Sequence, residues 1–338
     1  MTGAPASGHP RDPLRMALYT DLSPDELAAA VRPFGLPAPE RVRPELKGAV
    51  NTNFHLWAGG QRFFLRISEG KTEGDVRFEA EVQRYLHEAR FPVPRLHFAA
   101  DGRPFVPVAG KQAMLFAYAP GEEISRQDAG PERCRRVGEQ LGRLHDLAAG
   151  FTASRENPYG LARVEGWIAP LRQEAEADAA LAAALPLLED ELARAAHLPG
   201  APQGLVHGDL FADNVLWIGD RVSAILDWEM SCVAPFAYDL AVALNAWCYT
   251  DRYEPARAAA LVQGYRAKRR VEPETVDALH AWASYAALRF TASRIHAFHL
   301  AEVGADRLAR KDWTRYRDRL VALRELGERG FLALLGPA

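Results

Sequence analysis

The chain has 338 residues and a formal net charge of −3, with 48% hydrophobic and 25% charged residues. That is the make-up of a globular protein with room for about two domains of ~150 residues, and it gives no electrostatic case for binding nucleic acid or an anionic membrane. No apolar run approaches the ~20 residues of a membrane helix, and three scattered cysteines (Cys134, Cys232 and Cys248) argue against a disulfide framework or a zinc site and fit a reducing cytoplasm.

Residues 1–15 are rich in Pro, Gly and small side chains and read as a disordered tail, with ordered sequence expected from Met16. Ser23, followed by Pro24, Asp25 and Glu26, is a helix start signal, and Gly35 and Pro37 stop that helix after Phe34. Residues 42–46, 53–57 and 62–67 read as strands of an antiparallel sheet, with Gly59-Gly60 as a hairpin turn. Gly48 and Asn51-Thr52-Asn53 lie between the first two strands. A small turn with amide and hydroxyl groups can fold over nucleotide phosphates; a plain β-turn is the competing reading. A helix is expected over 74–89, then an extended Phe91-Pro92-Val93-Pro94, then a hairpin of 105–108 with 112–118 around Gly110. Ala119-Pro120-Gly121-Glu122 reads as a linker.

From Gly130 the pattern becomes helical. Helices are expected over 131–149, over 167–196 with a break near Pro186, and over 255–268, 273–299 and 313–331. Arg289 and Arg294 could each meet a carboxylate, with a salt-bridged surface as the plainer role. Between these helices lies LVHGDLFADNVLWIGDRVSAILDW, residues 205–228. Two apolar runs, 205–206 and 224–226, each deliver an acidic residue into a polar setting, with a hairpin-like turn at Gly219–Asp220 between them. Asp209, Asn214 and Asp227 on short strands and loops suit phosphoryl transfer. One carboxylate orients a hydroxyl and takes its proton, while an amide and a second carboxylate hold Mg²⁺ on nucleotide phosphates.

HGDLFADN followed by ILDW resembles the catalytic and metal-binding motifs of the aminoglycoside phosphotransferase superfamily of protein-kinase-like small-molecule kinases. The resemblance implies an α+β, bilobal fold, with an N-terminal antiparallel sheet lobe plus helix over 16–118 and a mainly helical C-terminal lobe over 119–338. It implies ATP and Mg²⁺, with Asp209 as catalytic base and Asn214 and Asp227 as metal ligands. Arg66 stands where the family usually has a phosphate-binding Lys; a surface strand arginine is the alternative. Glu79, with Glu81 as competitor, stands where the family supplies a carboxylate to that cation; otherwise it belongs to a solvated acidic face. Backbone groups from Phe116 to Tyr118 would meet the adenine edge. Asp239 would brace the catalytic loop in the family, though as a plain residue before an apolar helix it reads as an N-cap. His145 and His207 read as structural. Glu229, Asp239 and Asn245 could face the acceptor.

MALYTDLSPDEL, NTNFHL, HGDLFADNVLW, DLAVALNAWCY and ALRFTASRIHAFH resemble most closely the type II homoserine kinase branch. That implies phosphorylation of the side-chain hydroxyl of L-homoserine, a step towards threonine, in the cytoplasm. Two further readings stay open on the residues: a kinase for another alcohol such as an aminoglycoside, choline or an amino alcohol, and a non-catalytic nucleotide-binding protein. No sequence feature sets the oligomeric state.

Overall fold

A computed structural model describes residues 20–45, 50–300 and 312–336. Residues 1–15, Met16 and Gly48, for which expectations were set, lie outside the described residues. The chain divides into two compact units, Met1–Arg77 with Arg95–Tyr118, and Phe78–Pro94 with Ala119–Ala338.

The first unit opens with α1 (Pro24–Val31), started by a capping box in which Ser23 and Glu26 satisfy each other's backbone N–H. Its sheet contains β1 (Arg41–Glu45), β2 (Thr52–Ala58), β3 (Gln61–Ile67), β4 (Leu96–His97), β5 (Val106–Val108) and β6 (Lys111–Ala117). The order is β1-β2-β3-β6-β4, with β5 on β6 and all pairings antiparallel. Gly59 and Gly60 both have positive φ, 55° and 72°, as a two-residue turn matched to the strand twist requires. Leu27, Ala30 and Val31 of α1 pack with Phe54, Leu56, Leu65 and Leu115 as the core of this unit.

The helix α2 (Glu73–Glu88) crosses the division after Arg77. The expected first lobe, continuous over 16–118, therefore differs from the compact unit. Phe78, Val82 and Leu86 join the core of the second unit with Val137, Leu141 and Leu144, and apolar burial outweighs position in the chain.

The second unit contains α3 (Pro131–Leu147), α4 (Leu161–Ile168), α5 (Leu171–Glu174) and α6 (Ala179–Ala195). It continues with β7 (Gln203–Val206), β8 (Val215–Ile218), β9 (Arg221–Ile225) and β10 (Cys232–Pro235), then α7 (Phe236–Trp247), α8 (Pro255–Arg266), α9 (Pro273–Arg294) and α10 (Thr314–Ala333). The break expected near Pro186 is absent: Pro186 lies inside α6. It removes one backbone donor, but Leu181, Ala184 and Leu188 are buried on both sides of it and hold the helix together. The chain breaks earlier, where Asp178 accepts from the N–H of Ala180 and Leu181 at 2.8 and 3.0 Å. No helix among the described residues is long and apolar enough to cross a membrane.

Two glycine contacts bring α3 and α8 together. A Cβ on Gly138 would lie 1.9 Å from the Leu261 carbonyl oxygen, and one on Gly264 would lie 1.9 Å from that of Arg135. Backbone therefore packs on backbone, and on the same helices Tyr265 comes within 2.8 Å of His145. Gly138→Ala is expected to destabilise the protein by about 3 kcal/mol or more, because neither carbonyl-bearing helix can yield without losing the other contact. Urea unfolding of the variant beside the wild type checks this, and an unchanged midpoint would contradict it.

Candidate active site

The polar loop starts where β7 ends. β7 pairs antiparallel with β10, and β8 pairs with β9 through a turn at Gly219, φ 59°. Between β7 and β8 the chain must carry His207, Gly208 and Asp209 out of a buried strand. It does so in a fixed shape. Gly208 adopts φ 77°, and a Cβ there would lie 3.0 Å from the Met230 carbonyl oxygen, so both conformation and space call for glycine.

Asp239 sets this shape. The N–H groups of His207 and Gly208 donate to its two carboxylate oxygens, both at 2.8 Å. His145 Nε2 lies 3.1 Å from the same carboxylate, and the Tyr265 hydroxyl lies 2.8 Å from His145 Nδ1. Asp239 is fully buried. Burial opposes its charge, yet the hydrogen bonds from His145 and the Gly208 N–H outweigh that and hold the carboxyl below its ordinary range. Burial lowers the pKa of His145, so it serves as a neutral donor, with Tyr265 donating to its other nitrogen. The N-cap reading of Asp239 is thus corrected. It lies in the first turn of α7, past the N-cap Pro235, and its acceptors are spent on the loop.

His207 braces the other side. Its Nε2 lies 3.0 Å from the Leu226 carbonyl, and the Asp209 N–H donates to Nδ1 at 3.2 Å. Those two bonds select the Nε2–H tautomer, and burial keeps the ring neutral. Trp228 packs on the His207 ring at 4.6 Å, and Trp247 Nε1 donates to the Leu210 carbonyl at 2.8 Å.

Asn214 ties the two polar ends together. Its Nδ2 donates to the Asp209 carbonyl at 2.8 Å and to Asp209 Oδ2 at 3.3 Å, while its backbone oxygen accepts from Leu226 N at 2.8 Å. Leu226 precedes Asp227, which holds a left-handed backbone at φ 61°, ψ 67°. A left-handed aspartate is strained, and such strain gathers at functional sites. With Nδ2 spent on Asp209, Asn214 presents its amide oxygen as the remaining ligating atom. Together with the Asp227 carboxylate this makes a hard-oxygen donor pair, which fits Mg²⁺ completed by phosphate and water. Asp209, Asn214 and Asp227, singled out in the sequence, are therefore brought together.

The other expected residues divide. Arg66 is buried on β3, with its guanidinium 5.4 Å from the Phe116 ring centroid, so it is not a surface strand arginine. Glu79 is also buried, which removes the solvated-face reading. Asn51 accepts the Glu69 N–H at 3.1 Å, and the Asn53 amide donates to the Asn51 carbonyl at 3.2 Å. The N–H of Tyr118 donates to the Arg62 carbonyl, and that of Ala117 to Arg95, so neither donor is offered to an adenine edge. Glu229 is buried in the short turn Trp228–Met230. Asn245 departs from its expected place facing the acceptor. It is fully buried, donates to the Ala283 carbonyl at 2.9 Å and accepts from the Tyr253 hydroxyl at 2.5 Å, which makes it a tie between helices.

Arg155 carried no local signal. Its guanidinium donates to the carbonyls of Glu229, at 2.7 Å, and Ser231, holding the segment after Asp227. Only the fold shows this, because its partners are backbone atoms more than 70 positions away.

Three comparisons bear on this geometry. Residues 41–279 match the model of the phosphotransferase enzyme family. A homoserine kinase of Sinorhizobium fredii is 32% identical over 317 residues, 90% of this chain and 94% of that protein. One of Phenylobacterium zucineum is 34% identical over 299 residues, 86% and 90% respectively. Among solved structures, amicoumacin kinase hAmiN in complex with AMP-PNP, Ca²⁺ and Ami shares the fold at TM-score 0.66 and 18% identity, over 86% of this chain and 90% of that one.

Asp239→Ala should cost about 3–5 kcal/mol of stability, since it strands two backbone donors and a buried imidazole N–H. Chemical unfolding measures this. A loss within experimental error of zero would remove Asp239 as the brace.

Proposed function

The chain belongs to the phosphotransferase enzyme family, and from that membership we propose that it transfers the γ-phosphoryl group of ATP to the side-chain hydroxyl of L-homoserine. The products are ADP and O-phospho-L-homoserine, on the way to threonine. It is an ATP-dependent phosphotransferase acting on a small molecule. The acceptor is supported by the homoserine kinases it resembles over most of both chains. The single observation that carries the chemistry is Asn214, which holds Asp209 through its amide and the approach to Asp227 through its carbonyl.

Asp209 is half-buried on a loop fixed from several sides, where a carboxylate can orient a hydroxyl and accept its proton as the oxygen bonds to phosphorus. Asn214 and Asp227 are the groups that would hold Mg²⁺, which when bound neutralises charge on the phosphate oxygens. Arg66, Asn51, Asn53 and the Phe116–Tyr118 segment are assigned to the nucleotide in the first unit. Asp239 serves the loop and not the acceptor directly, and Glu229 keeps its assignment to the acceptor. The three cysteines are free and buried, in keeping with a cytoplasmic site of action.

ADP release with MgATP should be fast with L-homoserine and slow with aminoglycosides, choline and simple amino alcohols. Asp209→Asn should lower that rate by roughly 10²–10⁴-fold while nucleotide binding persists. Asp227→Asn should instead weaken Mg²⁺-dependent nucleotide binding. Turnover of another alcohol alone would change the acceptor, and unchanged turnover in Asp209→Asn would remove the mechanism.

A further inference from the structure

Arg289 breaks the rule that a buried charge is answered. The sequence allows it either to meet a carboxylate or to join a salt-bridged surface; it lies in α9 with 1% of its surface exposed, which removes the surface reading. Its Nη2 donates to the Met230 sulfur at 2.9 Å, and Nε and Nη1 have no hydrogen-bond partner among the described residues. The guanidinium lies between two rings, 4.0 Å from the Tyr159 centroid and 3.9 Å from that of Phe290. Nearby groups that sense its charge do not neutralise it. Burial pushes the Cys232 thiol and the Tyr285 phenol up to about 12, and that of Tyr238 higher still, so all three are uncharged at neutral pH. Arg294, five residues on, differs, since its Nη1 is spent on the Asp312 carbonyl.

A desolvated cation with unused donors is unfavourable for the empty protein, and a thioether is a weak acceptor. A guanidinium set over aromatic rings is instead prepared for a planar, bidentate anion. Its position is close to the chemistry. The Met230 carbonyl abuts Gly208, and the Phe290 ring packs 4.9 Å from that of Phe211, two residues beyond Asp209. Met230 itself is unbranched and half-buried, so it can swing aside at small expense.

We propose that Arg289 binds the α-carboxylate of the amino-acid acceptor, and that the Met230 thioether holds the place the carboxylate takes. The assignment rests on the homoserine reading and deepens it. It gives the enzyme a reason to choose an amino acid over the corresponding amino alcohol, because the alcohol would leave the buried cation unanswered.

The test compares L-homoserine with 3-aminopropan-1-ol, which is the same molecule without the carboxylate. In the wild type, kcat/KM should favour homoserine strongly. Arg289→Met should raise the homoserine KM by roughly 100-fold, with a much smaller effect on the MgATP KM, and bring the preference close to one. Thermal unfolding shows whether that variant is folded; exchanging a buried unpaired cation for an apolar chain of similar size should not lower its midpoint. Met230→Glu tests the same site without removing Arg289. It supplies a carboxylate in cis and should raise the homoserine KM by a similar factor. An unchanged homoserine KM in folded Arg289→Met, or in Met230→Glu, overturns the carboxylate site and leaves the kinase standing. A wild type that does not phosphorylate homoserine overturns both.

Discussion

The loop that carries Asp209 hangs from a single buried carboxylate. Asp239 can stay ionised without solvent because the chain itself satisfies it, through two backbone N–H groups from the loop and one from a neutral imidazole. The requirement runs in both directions. The carboxylate needs those donors to offset its desolvation, and the loop needs the carboxylate to keep His207 and Gly208 in a shape that an unsupported chain would leave. His145 is in turn held by Tyr265 of α8, which approaches α3 closely at Gly138 and Gly264. A packing contact between two helices thus backs the imidazole that braces a polar loop on another element.

The bracing groups and the three polar residues of the motif differ in burial. Asp239, His145, His207, Trp228 and Trp247 are buried and bonded to partners. Asp209, Asn214 and Asp227 are less buried, where a hydroxyl, a phosphate or a cation can reach them. Rigid buried groups fix the shape of the loop, and the three motif residues on it are left accessible. Arg289 is the counterpart of Asp239. Both are buried charges in the same unit, but one is closed by the chain and the other, among the described residues, meets a sulfur and aromatic faces. The closed charge stabilises a loop, whereas the open one is suited to a ligand.

Local chemistry made much of this visible in the sequence. The Ser23 start signal, the Gly59-Gly60 turn and the alternation of the first sheet depend on neighbours a few residues apart, and they are where the spacing put them. That Asp209, Asn214 and Asp227 meet was legible because they lie within one short stretch of chain. Pro186 misled because a local penalty was set against burial contributed by distant helices.

The sequence by itself determined the class of fold and the class of reaction, and it marked three polar residues that the fold brings together. Tertiary structure alone decided what each remaining polar group does. Asp239 could be either an N-cap or the family's brace and is a brace; Asn245 looked like a substrate contact and is a helix tie; Arg289 could be either a carboxylate contact or part of a salt-bridged surface and is a buried cation. In each case the partner lies more than 30 positions away or is a main-chain atom or ring with no distinguishing residue pattern, apart from the Tyr253 hydroxyl and the neighbouring Phe290 ring. Periodicity and spacing report which face a side chain takes within its own element, but the energy of a buried polar group depends on what the rest of the chain brings to it.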